Sequence, residues 1–165
     1  MPGAYTELKG EALASFRHAM QLIKAKAERT LGSDYEVRDL RPQDLEITNP
    51  AFTFGITTTS SYSSIINNAT IDTNRWIAIY GFKYAMTTPL FTQIKITAGG
   101  ALKMDRNIEV VPNTTDKALY FDPVLVEQNQ NLLVEAYNNT TTTNTAEKLV
   151  FVGVVAEKKG QVLAP

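Results

Sequence analysis

The chain has 165 residues, of which 44% are hydrophobic and 20% are charged, and its formal net charge is -1. This composition is ordinary for a soluble globular protein, and the length fits one domain with an added segment. The near-zero net charge does not supply the basic surface that a nucleic-acid or anionic-membrane partner requires. Because the sequence contains no cysteine, it excludes disulfides, thiolate metal ligands and cysteine nucleophiles.

No apolar run approaches the roughly 20 residues that a membrane-spanning helix needs. The first five residues contain neither a basic region nor a hydrophobic region, so they do not predict a secretory signal. We therefore expect a protein that is synthesised in a cytoplasm without a signal peptide and has no membrane partner. It either stays in that cytoplasm or leaves it as part of an assembly.

An amphipathic helix is predicted from about residue 6 to residue 31. Its apolar side chains recur at steps of three and four residues and define one face. They are Leu8, Ala12, Phe16, Ala19, Met20, Ile23 and Ala27. Cations in the last turns and Gly32 after them predict the C-terminal end. The apolar face can pack against one of two alternative partners, a sheet of its own domain or a second molecule.

Residues 33–50 are rich in charge and contain proline, which predicts a connector that crosses a surface, with a short strand at residues 45–48. At about 3.3 Å per residue, an extended connector would span roughly 50 Å. A connector of this length could extend from its own domain and bind a neighbouring molecule. We therefore divide the chain into an assembly arm (residues 1–48), a β domain (residues 49–157) and a C-terminal tail (residues 158–165).

The β domain is predicted to be an antiparallel β-sandwich or jelly roll of about eight short strands. The predicted strands are residues 52–58, 62–71, 75–85, 91–97, 108–111, 119–126, 132–137 and 149–156. Strand 75–85 is apolar on both faces, which predicts a central position, whereas Asp122-Pro123 predicts an edge or a bend. An immunoglobulin-like sandwich and a six-stranded barrel remain open alternatives. The fold class is mainly β, preceded by one N-terminal amphipathic α-helix.

No catalytic, cofactor-binding or metal-binding residue is predicted. His18 is the single histidine, and the nearest carboxylate in its helical register, Glu11, lies seven residues away. We therefore interpret His18 as a surface or interface residue. The carboxylates of the β region show no spacing that brings two together for acid–base catalysis. Gly99-Gly100 fits no phosphate-binding pattern and predicts a hairpin turn.

Three aromatic residues of the predicted central strand, Trp76, Tyr80 and Tyr84, share a face because their positions differ by even steps. Aromatic side chains on the central strand of a sandwich usually belong to the core, which is the favoured interpretation. If that face were exposed, its rings would form a platform that stacks on sugars. A carbohydrate-binding module is therefore the alternative function.

Four stretches of the β domain resemble the small jelly-roll proteins of virus and phage particles. They are residues 75–82 (RWIAIYGF), 120–124 (YFDPV), 131–137 (NLLVEAY) and 149–156 (LVFVGVVA). The resemblance covers about residues 50–157, including their Thr- and Asn-rich loops. It implies a non-enzymatic virion protein, either a capsid decoration or cement protein or a minor capsid subunit. It also implies homo-oligomers, trimeric or pentameric, that bind a major capsid protein or another shell subunit.

In this interpretation the helix supplies the contacts between molecules through Leu8, Phe16, Met20 and Ile23. Burying these side chains would contribute on the order of 6–10 kcal/mol before entropy costs. The hypothesis assumes that the sandwich is complete without the helix. The apolar face of the helix is then expected to require an external partner.

Overall fold

The computed structural model describes residues 10–48, 50–85, 90–109, 111 and 117–161. Within these residues the chain is mainly β, as predicted, with one long α-helix at its N-terminal side. In chain order the elements are α1 (Gly10–Leu31), β1 (Tyr35–Asp39), a 3-10 helix (Pro42–Leu45), β2 (Thr53–Ile56), β3 (Ser61–Thr70), β4 (Arg75–Tyr84), β5 (Phe91–Ala98), β6 (Ala101–Asn107), β7 (Ala118–Val126), β8 (Asn131–Asn138) and β9 (Asn144–Lys158). The predicted start of the helix, residues 6–9, lies outside the described residues.

The strands pair as one long hairpin that is folded over into two sheets. β2 pairs antiparallel with β9, β3 with β8, β4 with β7, and β5 with β6. Two further pairings, β4 with β9 and β5 with β8, complete the sheets. The resulting orders, β2-β9-β4-β7 and β3-β8-β5-β6, define a jelly roll. The jelly roll is therefore the alternative that the chain adopts.

β9 holds two strands along one of its edges. It is 15 residues long, and its first half pairs with β2 while its second half pairs with β1. The sequence did not predict β1, and the strand predicted at residues 45–48 is wrong. Pro42 begins a 3-10 helix there, and the carboxylate of Asp44 accepts a hydrogen bond from the backbone N–H of Arg41 at 2.8 Å.

The β5–β6 hairpin confirms the turn predicted at Gly99-Gly100, whose positive φ angles of 59° and 81° favour glycine. β6 itself was not predicted, because six of its seven residues are exposed and no apolar alternation marks it. The strand predicted at residues 108–111 is wrong for its described positions, because Ile108 and Val111 are buried but neither belongs to a strand. Asp122-Pro123 lies on β7, which is an edge strand as predicted.

Two separate apolar clusters stabilise the fold. The larger one fills the space between the two sheets and contains no described residue of α1. The smaller one lies between α1 and the outer face of the sheet that contains β4 and β9. That sheet is therefore buried on both faces, whereas no described helix packs on the outer face of the β3-β8-β5-β6 sheet.

Candidate interaction site

The apolar face of α1 packs on its own chain. Ala19, Ile23 and Ala27 have no exposed surface and lie in one cluster with Trp76 and Val154 of the sheet. The prediction that this face lacks a partner within the chain is wrong. The outer face of β4 and β9 is apolar as well, so the helix and the sheet remove each other's apolar surface from water.

The predicted contact residues of the helix fall into three groups. Ile23 is fully buried, so it is not available to a second molecule while α1 is docked. Phe16 and Met20 are half-buried; the ring of Phe16 meets the ring of Tyr80 edge-on at 6.0 Å, and Met20 lines an open groove between α1 and β1. Leu8 lies outside the described residues. Contact between Phe16 or Met20 and another molecule stays a prediction.

The three aromatic residues of the predicted sugar platform are buried. Trp76, Tyr80 and Tyr84 are 2%, 6% and 3% exposed. A register shift between Ile79 and Gly81 reverses the alternation of β4, so Trp76 and Tyr80 face α1 while Tyr84 joins the core between the sheets. The core interpretation is confirmed. A platform that stacks on sugars needs an exposed ring face, which none of these residues provides.

The two buried tyrosine hydroxyls of β4 are hard to ionise. Burial raises the pKa of Tyr80 to about 12, with smaller contributions from Asp39 and Tyr120. Burial also raises the pKa of Tyr84, and the nearby carboxylate of Glu147 adds to that effect. Both hydroxyls therefore stay protonated at neutral pH, so neither supplies a phenolate that could act as a general base.

A cluster of charged side chains fastens the described part of the connector to the sandwich. Arg38 of β1 donates to Glu157 of β9 at 2.6 Å and to both oxygens of Asp44 at 2.7 Å. Arg75 of β4 donates to the same Glu157 carboxylate at 2.8 Å and also pairs with Asp72. Desolvation acts to lower the pKa of Arg38, but the bonds to the two carboxylates outweigh it and raise that pKa. The connector is therefore a bound edge segment and not the extended arm that was predicted.

A groove follows the edge of β7 along which no described strand pairs. It consists of two adjoining depressions of about 610 and 540 Å³ that share Arg106, Phe121 and Asp122. α1 forms one wall, where His18 is exposed, and β6 forms the other wall. The exposure of His18 agrees with its interpretation as a surface residue. Among the described residues, no group of three or more acidic or histidine side chains is arranged to hold a metal ion.

Sequence reasoning did not single out the groove residues Lys103, Arg106 and Phe121. Lys103 and Arg106 belong to β6, which has no apolar alternation that would predict a strand. Phe121 belongs to β7, and its place in the groove depends on which edge of β7 lacks a paired strand, which the sequence does not show. The usable signal was Asp122-Pro123, because a proline within a strand marks it as an edge strand. An edge strand has one side without a neighbouring strand, and a groove can form there.

No protein-family model and no curated protein sequence matches the chain. The fold and its surfaces therefore define the class: a jelly-roll protein in which a helix covers the outer face of one sheet. Within the described ranges, no helix combines the length and the apolar content needed to cross a membrane.

Proposed function

We propose that the chain is a non-enzymatic structural protein of a virus or phage particle, either a decoration or cement protein or a minor capsid subunit. The observation that carries this proposal is the nested strand pairing of a jelly roll. This is the architecture that the resemblance of residues 75–82, 120–124, 131–137 and 149–156 implies. Jelly rolls also form lectin domains and cupins, so the fold alone does not define the function.

The side chains favour the structural role over these two alternatives. A cupin metal site resembles a multi-histidine cluster, and this chain has one histidine. The aromatic residues that would have formed a sugar platform, Trp76, Tyr80 and Tyr84, are buried. A shell or decoration subunit, by contrast, needs a stable core and open surfaces for contacts between molecules.

In this proposal the protein forms a trimer or pentamer in the virion and binds a shell subunit. Its contacts come from surfaces that stay open after α1 has docked. These are the groove along β7, the outer face of the β3-β8-β5-β6 sheet, and the groove that Met20 lines beside β1. The buried stripe of α1 stabilises the protomer.

The test measures self-association and incorporation into particles. Sedimentation velocity and light scattering on the full chain are expected to give a fixed multiple of 18.2 kDa, three or five, over a hundredfold range of concentration. Mass spectrometry of particles purified from a host that carries the gene is expected to find the chain in a fixed ratio to the shell protein. A chain that stays monomeric and is absent from particles overturns the proposal.

A further inference from the structure

β1 lies at an edge of its sheet, and the groove that Met20 lines runs beside this edge. In the order β1-β9-β4-β7, no described strand pairs with the side of β1 that faces away from β9. The groove has a volume of about 710 Å³, and Tyr35, Glu36 and Val37 all line it. Consecutive side chains of a strand point to opposite faces. A groove that reaches all three residues therefore extends to the edge of β1 and not only to one face.

The hydrogen bonds of β1 to β9 show which backbone groups point away from the sheet. At one end of the pairing, the N–H of Leu40 donates to the carbonyl oxygen of Gly153 at 3.0 Å. At the other end, the N–H of Lys159 donates to the carbonyl oxygen of Asp34 at 3.3 Å. In an antiparallel ladder, residues that bond to the partner strand alternate with residues that point away from it. The residues of β1 that point away are therefore Tyr35, Val37 and Asp39.

These outward backbone groups form an array that we call the open edge of β1. No described residue accepts a hydrogen bond from the N–H of Tyr35, Val37 or Asp39. Of their carbonyl oxygens, that of Asp39 accepts from Nη1 of Arg38 at 3.1 Å, and the other two have no donor among the described residues. Free donors and acceptors at the spacing of a strand are complementary to the backbone of another extended segment.

The open edge of β1 is regular, unlike the other pairings of the described strands. Its five residue pairs with β9 show no shift of register. Each of the other six described pairings contains at least one shift. The edge strand β7 also contains Pro123, which has no backbone N–H. Bulges and prolines prevent a further strand from pairing, and the open edge of β1 has neither.

The groove beside the open edge offers apolar contacts on the side of α1. Met20 and Val37 line it, and both are half-buried and pack against the apolar cluster under the helix. Charge selects no ligand here, since the lining contains one cation, Lys24, and two carboxylates, Glu28 and Glu36. A segment in the groove is therefore recognised by its backbone and by apolar side chains that point toward α1.

We propose that the open edge of β1 binds an extended, uncharged segment of another protein, which joins the sheet as an antiparallel strand of about five residues. Antiparallel addition matches every described pairing of the fold. Apolar side chains at alternate positions of the segment lie opposite Tyr35 and Val37 and face Met20. The choice of a shell subunit as the source of the segment rests on the proposed function, whereas the chemistry of the segment rests on β1 and its groove alone.

The first test uses fluorescein-labelled nine-residue peptides and fluorescence anisotropy with the full chain. The parent peptide alternates threonine with valine and has one lysine at each end for solubility. In the antiparallel arrangement its valine N–H groups bond to β1, and its threonine N–H groups face away. N-methylation of the valines is therefore expected to weaken binding at least tenfold, and N-methylation of the threonines less than threefold. Equal binding of the two methylated peptides, or no binding of the parent at any soluble concentration, overturns the proposal.

Amide hydrogen exchange, measured by NMR, locates the added strand. In the free chain, the N–H groups of Tyr35 and Val37 are expected to exchange at least tenfold faster than those of Glu36 and Arg38, which bond to β9. Saturating parent peptide is expected to slow Tyr35 and Val37 at least tenfold. Protection of both groups without peptide overturns the proposal, because the edge is then covered by the chain itself or, where dilution removes the protection, by a second copy.

A matched pair of variants separates the backbone from the side chain. Val37→Pro removes an N–H that points away from β9, so the pairing with β9 is retained, and peptide binding is expected to fall at least tenfold. Val37→Thr keeps that N–H and a similar shape, and is expected to bind within threefold of the unaltered chain. Equal binding by the two variants overturns the assignment to this edge. If Val37→Pro lowers the melting temperature, the methylated peptides decide, since they use the unaltered chain.

The outcome is separable from the proposed function. A chain that is present in particles but does not bind the parent peptide overturns this inference alone. A chain that binds the peptide at β1 but is absent from particles overturns the virion role alone.

Discussion

Gly153 of β9 approaches the carbonyl oxygen of Ala78 in β4 so closely that a β-carbon on Gly153 would lie 2.7 Å from that oxygen. The same β-carbon would lie 3.0 Å from Cδ2 of Leu40, the residue that follows β1. The absence of a side chain at Gly153 thus lets two central strands and the connector meet at one point. Packed interiors tolerate little extra volume at such a contact.

We expect Gly153→Ala to lower the free energy of unfolding by about 1–3 kcal/mol, because β4 and β9 must separate to admit the methyl group. Gly55→Ala is the matched control, since its β-carbon would meet only Cγ2 of Thr57, at 3.9 Å. Thermal unfolding followed by circular dichroism measures both variants. Equal melting temperatures for the two would contradict the close approach.

Ile23→Ala is expected to destabilise the chain by about 2–5 kcal/mol, since the fully buried side chain leaves a cavity between α1 and the sheet. The neighbouring Leu22→Ala, at a half-buried position, is expected to cost about 1 kcal/mol. Urea unfolding measures both values. The loss in Ile23→Ala should be independent of protein concentration; a loss that disappears on dilution would assign Ile23 to a contact between molecules.

Glu157→Gln removes the buried carboxylate that joins Arg38 to Arg75, whose side chain is 3% exposed. We expect a loss of about 3–5 kcal/mol, because two guanidinium groups then lack part of their compensating charge. Glu127→Gln is the control, since its pair with Lys26 is 36% exposed on both sides and contributes under about 1 kcal/mol. Urea unfolding measures both variants. Comparable losses in the free energy of unfolding would show that the buried cluster around Glu157 contributes no more to stability than the exposed pair of Lys26 and Glu127.

Alkaline pH is expected to weaken the docking of α1. The folded-state pKa of Tyr80 is raised to about 12, above the value of about 10 for an unfolded tyrosine. The folded state therefore keeps a proton that the unfolded state has lost, so this stabilisation is complete below about pH 10 and decreases as the pH rises toward 12. Thermal unfolding measured across that range checks the slope.

Tyr80→Phe supplies the control for the alkaline effect. It removes the ionisable hydroxyl of Tyr80 and is expected to make the decline of melting temperature above about pH 10 less steep, while the buried hydroxyl of Tyr84 still contributes the remainder. A decline as steep as that of the unaltered chain would assign the alkaline loss to other groups.

Asn138 orders the threonine-rich loop that follows β8. Its fully buried amide donates to the carbonyl oxygens of Thr58 and Thr142, both at 2.8 Å, and its side-chain oxygen accepts from the N–H of Thr140 at 2.9 Å. Asn138→Asp cannot donate to those carbonyls, so we expect a loss of about 1–3 kcal/mol and faster proteolysis of the loop. Asn139→Asp, at an exposed position, should leave both unchanged; identical cleavage rates in the two variants would contradict this role.

The sequence predicted which segments form strands or a helix better than it predicted which strands pair and where the helix packs. The alternation in β4 and the proline of β7 were sufficient to place one strand centrally and the other at an edge. The jelly-roll order depends on pairs such as Thr53 with Lys148, which lie far apart in the chain and share no local pattern. β1 escaped detection because its charged residues, Arg38 among them, bind carboxylates that only the fold brings near.

The partner of α1 was predictable from a feature that the sequence already showed. Strand 75–85 is apolar on both faces, and a sandwich core covers only one of them. The second face, with Trp76 and Tyr80, therefore needed another apolar surface, and the stripe that contains Ile23 was the one available. The bulge at Gly81 was not predictable, because it moves Tyr84 to the opposite face without any change in the alternation of residue types.

The position of β9 sets the order of events during translation. β1, β2 and β4 all pair with this last strand, so the sheet that receives α1 is incomplete until about residue 158 has left the ribosome. At the usual speed of synthesis, about 5–20 residues per second, the helix precedes it by roughly 6–25 s. During that interval the apolar stripe of α1 lacks its complete docking surface, so it stays in contact with water or with other molecules while the chain is still being made.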